Sequence, residues 1–242
     1  MKRRLVLCAL AALAAFVASA QQRTISFSGH NWWIKKSSSR VGPGPNFFSD
    51  STSSVWVDSE GRLHLKIARS GNRWYCAEVV SAESFGYGTY RFYLASAVDA
   101  LDPNVVLGLF TWNDDPAYNH RELDIEFARW ADRKNLNAQY VVQPYTIAEN
   151  MYRFNQPAGV PESNHSFLWT AERASFLSLK GLVPVRFDDD SNLITDHEFS
   201  SGIPVAGGEN PRINLWLFRG RAPTNRQPVE IVISRFEFLP AP

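Results

Sequence analysis

Arg121-Glu122-Leu123-Asp124-Ile125-Glu126-Phe127 alternates charged and apolar residues without a break, and an extended chain sends successive side chains to opposite faces. Leu123, Ile125 and Phe127 share one face; the three acids share the other. An apolar face of this kind packs against a core, which predicts a strand from a sheet with one side covered and one side open. Working outward, runs of alternating or β-branched residues between Gly, Pro, Asn, Asp and Ser clusters predict strands at 74–81, 88–95, 104–112, 121–128, 135–142, 165–170, 175–180, 212–218 and 229–239. Val55-Trp56-Val57 and Arg62 to Ile67 read as a hairpin around Asp58-Ser59-Glu60-Gly61. That many strands, without a long helical period, predicts an all-β domain of two stacked sheets. Val41 to Asn46 reads as a shaped loop and 145–163 as a surface loop beside a binding site or a short helix.

Bulk properties narrow the function. Lys2, Arg3 and Arg4, the apolar run Leu5 to Val17 and Ala18-Ser19-Ala20 read as a secretory leader over residues 1–20. Residues 21–242 are then one exported domain, secreted or periplasmic, and the apolar run is too short to span a bilayer. Losing three basic residues turns the formal charge of +1 into −2, so neither nucleic acid nor a membrane is an expected partner, and a monomer is expected. Cys76 is the one cysteine left, which predicts a buried thiol and no internal disulfide. The five histidines are scattered and no Gly-x-Ser-x-Gly occurs, so neither a metal site nor a serine triad is predicted.

Three acids in a row repel one another and disfavour a strand, a cost that a functional site explains. Ordinary solvent faces mix their signs, as Arg62, His64 and Lys66 do in the hairpin. The chemistry that uses paired carboxyl groups is glycosidic cleavage, in which one attacks the anomeric carbon and another protonates the leaving oxygen about 5–5.5 Å away. Positions i and i+4 of a strand lie about 13 Å apart along the backbone. Side chains leaning inward on a curved sheet close much of that gap. Spacing alone does not say which Glu does which.

Glu122-Leu123-Asp124-Ile125-Glu126 resembles the Glu-x-Asp-x-Glu signature of glycoside hydrolase family 16, in the form without an extra residue that lichenases and xyloglucan-modifying enzymes carry. Tyr75-Cys76-Ala77-Glu78, Tyr87-Gly88-Thr89-Tyr90 and Leu109-Phe110-Thr111-Trp112 precede the acids in that family's order, and Asn214-Leu215-Trp216 follows. The resemblance runs from about Val55 to Phe238. It implies a concanavalin A-like jelly-roll β-sandwich of two curved antiparallel sheets with the acids on the concave face. It also implies an endo-acting retaining hydrolase of a β-linked polysaccharide, of β-1,3/1,4-glucan type, with Glu122 as nucleophile, Asp124 as assisting carboxylate and Glu126 as general acid/base. No cofactor is implied, and neither the disulfide of many lichenases nor the structural calcium that often occurs finds support in these residues. Transglycosylation and glycan binding without chemistry are the alternatives on the same scaffold.

Sugar rings stack on aromatic faces beside hydrogen-bonding groups. Asn214 and Trp216 share a face and match substrate contacts of the family; Phe110 and Trp112 share another, and Tyr140 falls at a cleft-tyrosine position. His120, two residues before Glu122, is expected on the acid face, to orient Glu122 or bind sugar. Glu78 reads as a cleft acid or, by preference, as the salt-bridge partner of Arg91, and Trp32, Trp33 and Asn46 are expected to build the cleft rim.

Overall fold

The structure, a computed structural model, describes residues 22–241; the leader read over residues 1–20 lies outside the described residues. β1 (Thr24–Phe27) and β2 (His30–Ile34) form a hairpin, β3 (Phe47–Phe48) follows, and β4 (Val55–Val57) turns into β5 (Leu63–Ser70). Next come β6 (Arg73–Ser81), β7 (Gly88–Leu94), β8 (Val105–Trp112), β9 (Leu123–Ala128), β10 (Ala138–Val142) and β11 (Met151–Phe154). β12 (Ser163–Trp169), β13 (Ala174–Lys180), β14 (Leu193–Phe199), β15 (Asn210–Leu217) and β16 (Val229–Pro240) complete the chain.

Two curved antiparallel sheets stack as a jelly-roll sandwich. The inner one runs β11-β10-β9-β8-β15-β6, with β2 and β1 beyond β6; the outer one runs β5-β16-β7-β12-β13-β14, and the short β5–β6 pairing joins them at a corner. Among the described residues only β3 pairs in parallel, with β6. Alternation explains the layers. Leu63, Leu65 and Ile67 of β5 are buried while His64 and Lys66 face out, and Leu123, Ile125 and Phe127 of β9 meet Phe92, Phe167 and Phe176 in one core. Asp58 closes the predicted hairpin by accepting hydrogen bonds from the amides of Glu60 and Arg62, both at 2.9 Å.

Tyr140 belongs to that core, contrary to its expected place in a cleft. It sits opposite Ile125 in the β9–β10 register, so it takes the apolar face, and its hydroxyl meets Ser178 on the facing sheet. Ser178 Oγ also lies 2.6 Å from His165 Nδ1, and His165 Nε2 lies 2.8 Å from Ser163 Oγ. These groups satisfy one another in a site without solvent, and burial pushes the His165 pKa down to about 3. The unfolded chain therefore binds this proton first: the stability is full above the unfolded pKa of about 6.5 and is lost as pH falls towards 3. Relative to His165→Gln, which does not titrate, the parent should lose about 2 kcal/mol between pH 7 and pH 5. Paired thermal melts at the two pH values check it, and parallel slopes would refute it.

Candidate active site

The segment ahead of β9 departs from the regular strand expected from residue 121. Tyr118, Asn119, His120 and Arg121 all take left-handed φ values, of 54°, 52°, 61° and 54°, and the extended run starts at Glu122, with φ −94° and ψ 120°. The Gln143 amide donates to the Glu122 carbonyl at 3.1 Å, which continues the β9–β10 ladder by one residue. All three acids therefore stay on the open face. His120 does not: its ring stacks on Trp112 at 4.0 Å and 8° between planes, and its Nδ1 bonds the Asn113 carbonyl at 2.9 Å. It braces Trp112 instead of orienting Glu122.

Sheet register lays the open face out in rows. Glu126 stands opposite Gln139 on one side and Gly108 on the other, and Gly108 is followed by Asn214 and Glu78. Asp124 stands opposite Phe110, which is followed by Arg212, Val80 and Trp33. Above these rows lies a cleft of about 370 Å³, lined by the three acids, Phe110, Trp112, Asn214, Trp216 and the Gly42-Pro43 loop. Of the six residues read as substrate contacts, Phe110, Trp112, Asn214 and Trp216 line it, His120 stacks on Trp112, and Tyr140 lies in the core. A β-carbon on Gly108 would lie 2.5 Å from Asn214 Oδ1. Glycine at this position gives Asn214 room to lie beside Glu126.

Glu78 closes the floor at 1% exposure. Its expected partner Arg91 is on the outer sheet, bonded to Glu237 at 2.5 Å; Glu78 instead binds Lys35 at 2.9 Å and Arg212 at 3.5 Å. Among the expected rim residues, Trp32 is buried in the core and Asn46 is buried beneath its loop, donating to the Pro43 and Leu217 carbonyls at 2.9 and 2.8 Å. Trp33, 40% exposed, lies in the Asp124 row.

Two amides that the sequence did not single out hold the acids. Gln139 donates to Glu126 at 2.7 Å and Gln143 to Asp124 at 2.9 Å. Their signal was present in the alternation of β10, which puts Gln139 on the face opposite Tyr140. Burial and then the Glu126 charge push Glu122 up to about 8, against a hydrogen bond from Asp124 and the charge of Arg212. Burial and the Asp124 charge push Glu126 up to about 8, against the Gln139 amide and Arg153. Asp124, 4% exposed, is raised well above the carboxylate range by burial and by Glu122. Such a trio holds protons at neutral pH and titrates as a unit. It can present a carboxylate and a carboxylic acid side by side. Cys76 is buried and free, its thiol pushed up to about 12 by burial, which makes it inert.

No family profile matches the sequence, and no curated protein is detectably similar to it. Solved structures are similar in fold. A Bacillus licheniformis β-glucanase is 19% identical over 86% of this chain and 91% of its own, with a TM-score of 0.63. A prokaryotic β-1,3-1,4-glucanase (lichenase) from a mouse hindgut metagenome is 17% identical over 87% and 93%, with a TM-score of 0.58. An immunostimulatory antigen and pseudo β-1,3-glucanase of Mycobacterium tuberculosis is 17% identical over 87% and 91%, with a TM-score of 0.63. The shared architecture is the jelly-roll sandwich with its open inner sheet, and the chain has the fold of β-glucanases.

Proposed function

We infer that the protein is an exported, endo-acting, retaining glycoside hydrolase of a β-linked polysaccharide, with a β-1,3/1,4-glucan backbone as its substrate. The observation that carries this reading is the trio itself: Glu122, Asp124 and Glu126 side by side in a cleft, with Gln139 and Gln143 donating to Glu126 and Asp124. In the first step the Glu122 carboxylate forms a bond to the anomeric carbon as the glycosidic bond breaks and Glu126 gives its proton to the leaving oxygen. In the second, Glu126 takes a proton from water, whose oxygen displaces Glu122 from the sugar. Asp124 bonds Glu122 and keeps a proton within the trio. A glycan-binding protein without chemistry would have no use for three mutually repelling acids on one strand. Transglycosylation uses the same residues with a sugar hydroxyl in place of water.

The expected result on a panel of mixed-linkage glucan, laminarin and xyloglucan is new reducing ends, released as internal cuts that lower viscosity early. A panel without new reducing ends, in the presence of measurable binding, would leave the binding-protein reading in its place.

A further inference from the structure

We propose that the aromatic cluster of Trp130, Trp216 and Phe218 beside the cleft, with Arg40, Arg73 and Arg219 exposed next to it, holds carboxylate or sulfate groups on the bound glycan, so that the substrate is an acidic β-linked polysaccharide. This deepens the reading above and rests on it.

The inner sheet places these residues at one end of its strands. β6 starts at Arg73, β9 ends at Ala128 and β15 ends at Leu217, so the loops that follow or precede them lie together at one end of the inner sheet. Trp216 lines the cleft; Trp130 lies 6.1 Å from it and 5.3 Å from Phe218, ring to ring. Arg219 lies over Phe218 at 5.0 Å, and Arg40 and Arg73 both lie over Phe47, at 5.1 and 4.8 Å. Arg40 also reaches the residue next to Arg219, since a β-carbon on Gly220 would come within 2.8 Å of its Nη1. Three exposed guanidinium groups thus lie on aromatic rings beside Trp216, just outside the residues that line the cleft.

These charges are left uncompensated. Among the described residues Arg40, Arg73 and Arg219 form no ion pair, whereas Arg62, Arg91 and Arg186 on other surfaces each hold a carboxylate. The acids at the same end are turned to the backbone. Asp102 accepts from the amides of Thr224 and Asn104 at 2.8 and 3.0 Å, and Asp132 from the amide of Lys134 at 2.9 Å. At the other end of the strands Asp114 lines the cleft and is paired with Arg212 at 3.3 Å. Packing on aromatic rings presets the guanidinium planes, and their paired donors match the oxygens of a carboxylate or sulfate. Trp130 and Arg219 also hold left-handed φ values of 52° and 54°, backbone strain of the kind that concentrates at binding sites. The chain as a whole is near neutral, so the arginine cluster is a local feature and not the reflection of a basic protein.

The test uses the Glu122→Gln protein, so that binding is read without turnover. Affinity electrophoresis at low salt compares barley mixed-linkage glucan with its carboxymethylated and sulfated derivatives. Both derivatives should bind about 5- to 20-fold tighter than the parent polymer, as two or three exposed charge contacts would give, and the better of the two names the natural group. The preference should fall below about twofold in an Arg40→Ala/Arg73→Ala/Arg219→Ala variant whose melting curve shows it folded, and return in part in the triple Lys variant. Equal binding of all three polymers would overturn the proposal, as would a preference that survives the triple Ala variant. Duplex DNA bound as tightly as the derivatives, and lost with the same arginines, would also overturn it by marking a general polyanion surface. Hydrolysis of the three polymers by the parent protein is scored separately: its absence on all of them with the charge preference intact sinks the hydrolase reading alone.

Discussion

Glu122→Gln should lower turnover of a β-glucan by about 10⁴-fold or more while leaving glycan binding measurable, because the amide cannot attack the anomeric carbon. Glu126→Gln should cost about 10²–10⁴-fold on the polysaccharide, the usual worth of a positioned acid, and far less on an aryl glycoside whose leaving group departs without a proton. That difference separates the two glutamates, which carry nearly the same perturbed pKa and share one strand face. The same substitutions should stabilise the fold. Both folded pKa values, near 8, lie above the unfolded value of 4.5, so the folded state keeps protons that the unfolded chain has released between those limits. The stability that those protons supply is complete below pH 4.5 and is lost as pH rises through 8. At pH 8 either amide variant should therefore be more stable than the parent by about 1–3 kcal/mol. Reducing-end assays and denaturant titrations check the two halves, and a variant that loses neither activity nor instability would place its residue outside the site.

Asp124→Asn is the second large effect, with kcat expected to fall by about 10- to 100-fold and the pH profile to narrow from its alkaline side. The Asp124 charge helps hold the proton on Glu126. An amide removes that charge, so Glu126 loses its proton at lower pH, and the alkaline limb of kcat/KM should move down by about one unit. The acid limb reports the carboxyl that must be ionised to attack. It should move less, because an amide at position 124 can still donate the hydrogen bond that lowers Glu122, and the charge of Arg212 acts irrespective of residue 124. A profile that only drops in height, with both limbs in place, would make Asp124 a structural residue.

The acid strand was legible because burying one face of an alternating segment dictates what the other face carries. The same rule, applied to β10, already set Gln139 against Tyr140, and the register with Ile125 carried the tyrosine inward; a position taken from family resemblance was the weaker guide. His120 was not legible. Nothing in Tyr118 to Arg121 announces four left-handed residues in a row, since glycine, the residue that adopts them freely, is absent. Edge and peripheral strands were lost for a different reason. β14 buries only Phe199 of its seven residues and β1 only Phe27 of four, so their apolar pattern is too faint to read. The partners of Glu78 come from Lys35 and Arg212, far apart in sequence and joined only by the sheet. Loop closure of that kind leaves no local signal.

The anomeric form of the first product tests the central claim most directly, because two displacements at one carbon restore the configuration that one displacement inverts. Followed by proton NMR from the start of a β-glucan digest, the new reducing ends should appear as the β anomer and drift to the equilibrium mixture afterwards. An α anomer formed first would mean a single displacement by water, and Glu122 would not be a nucleophile.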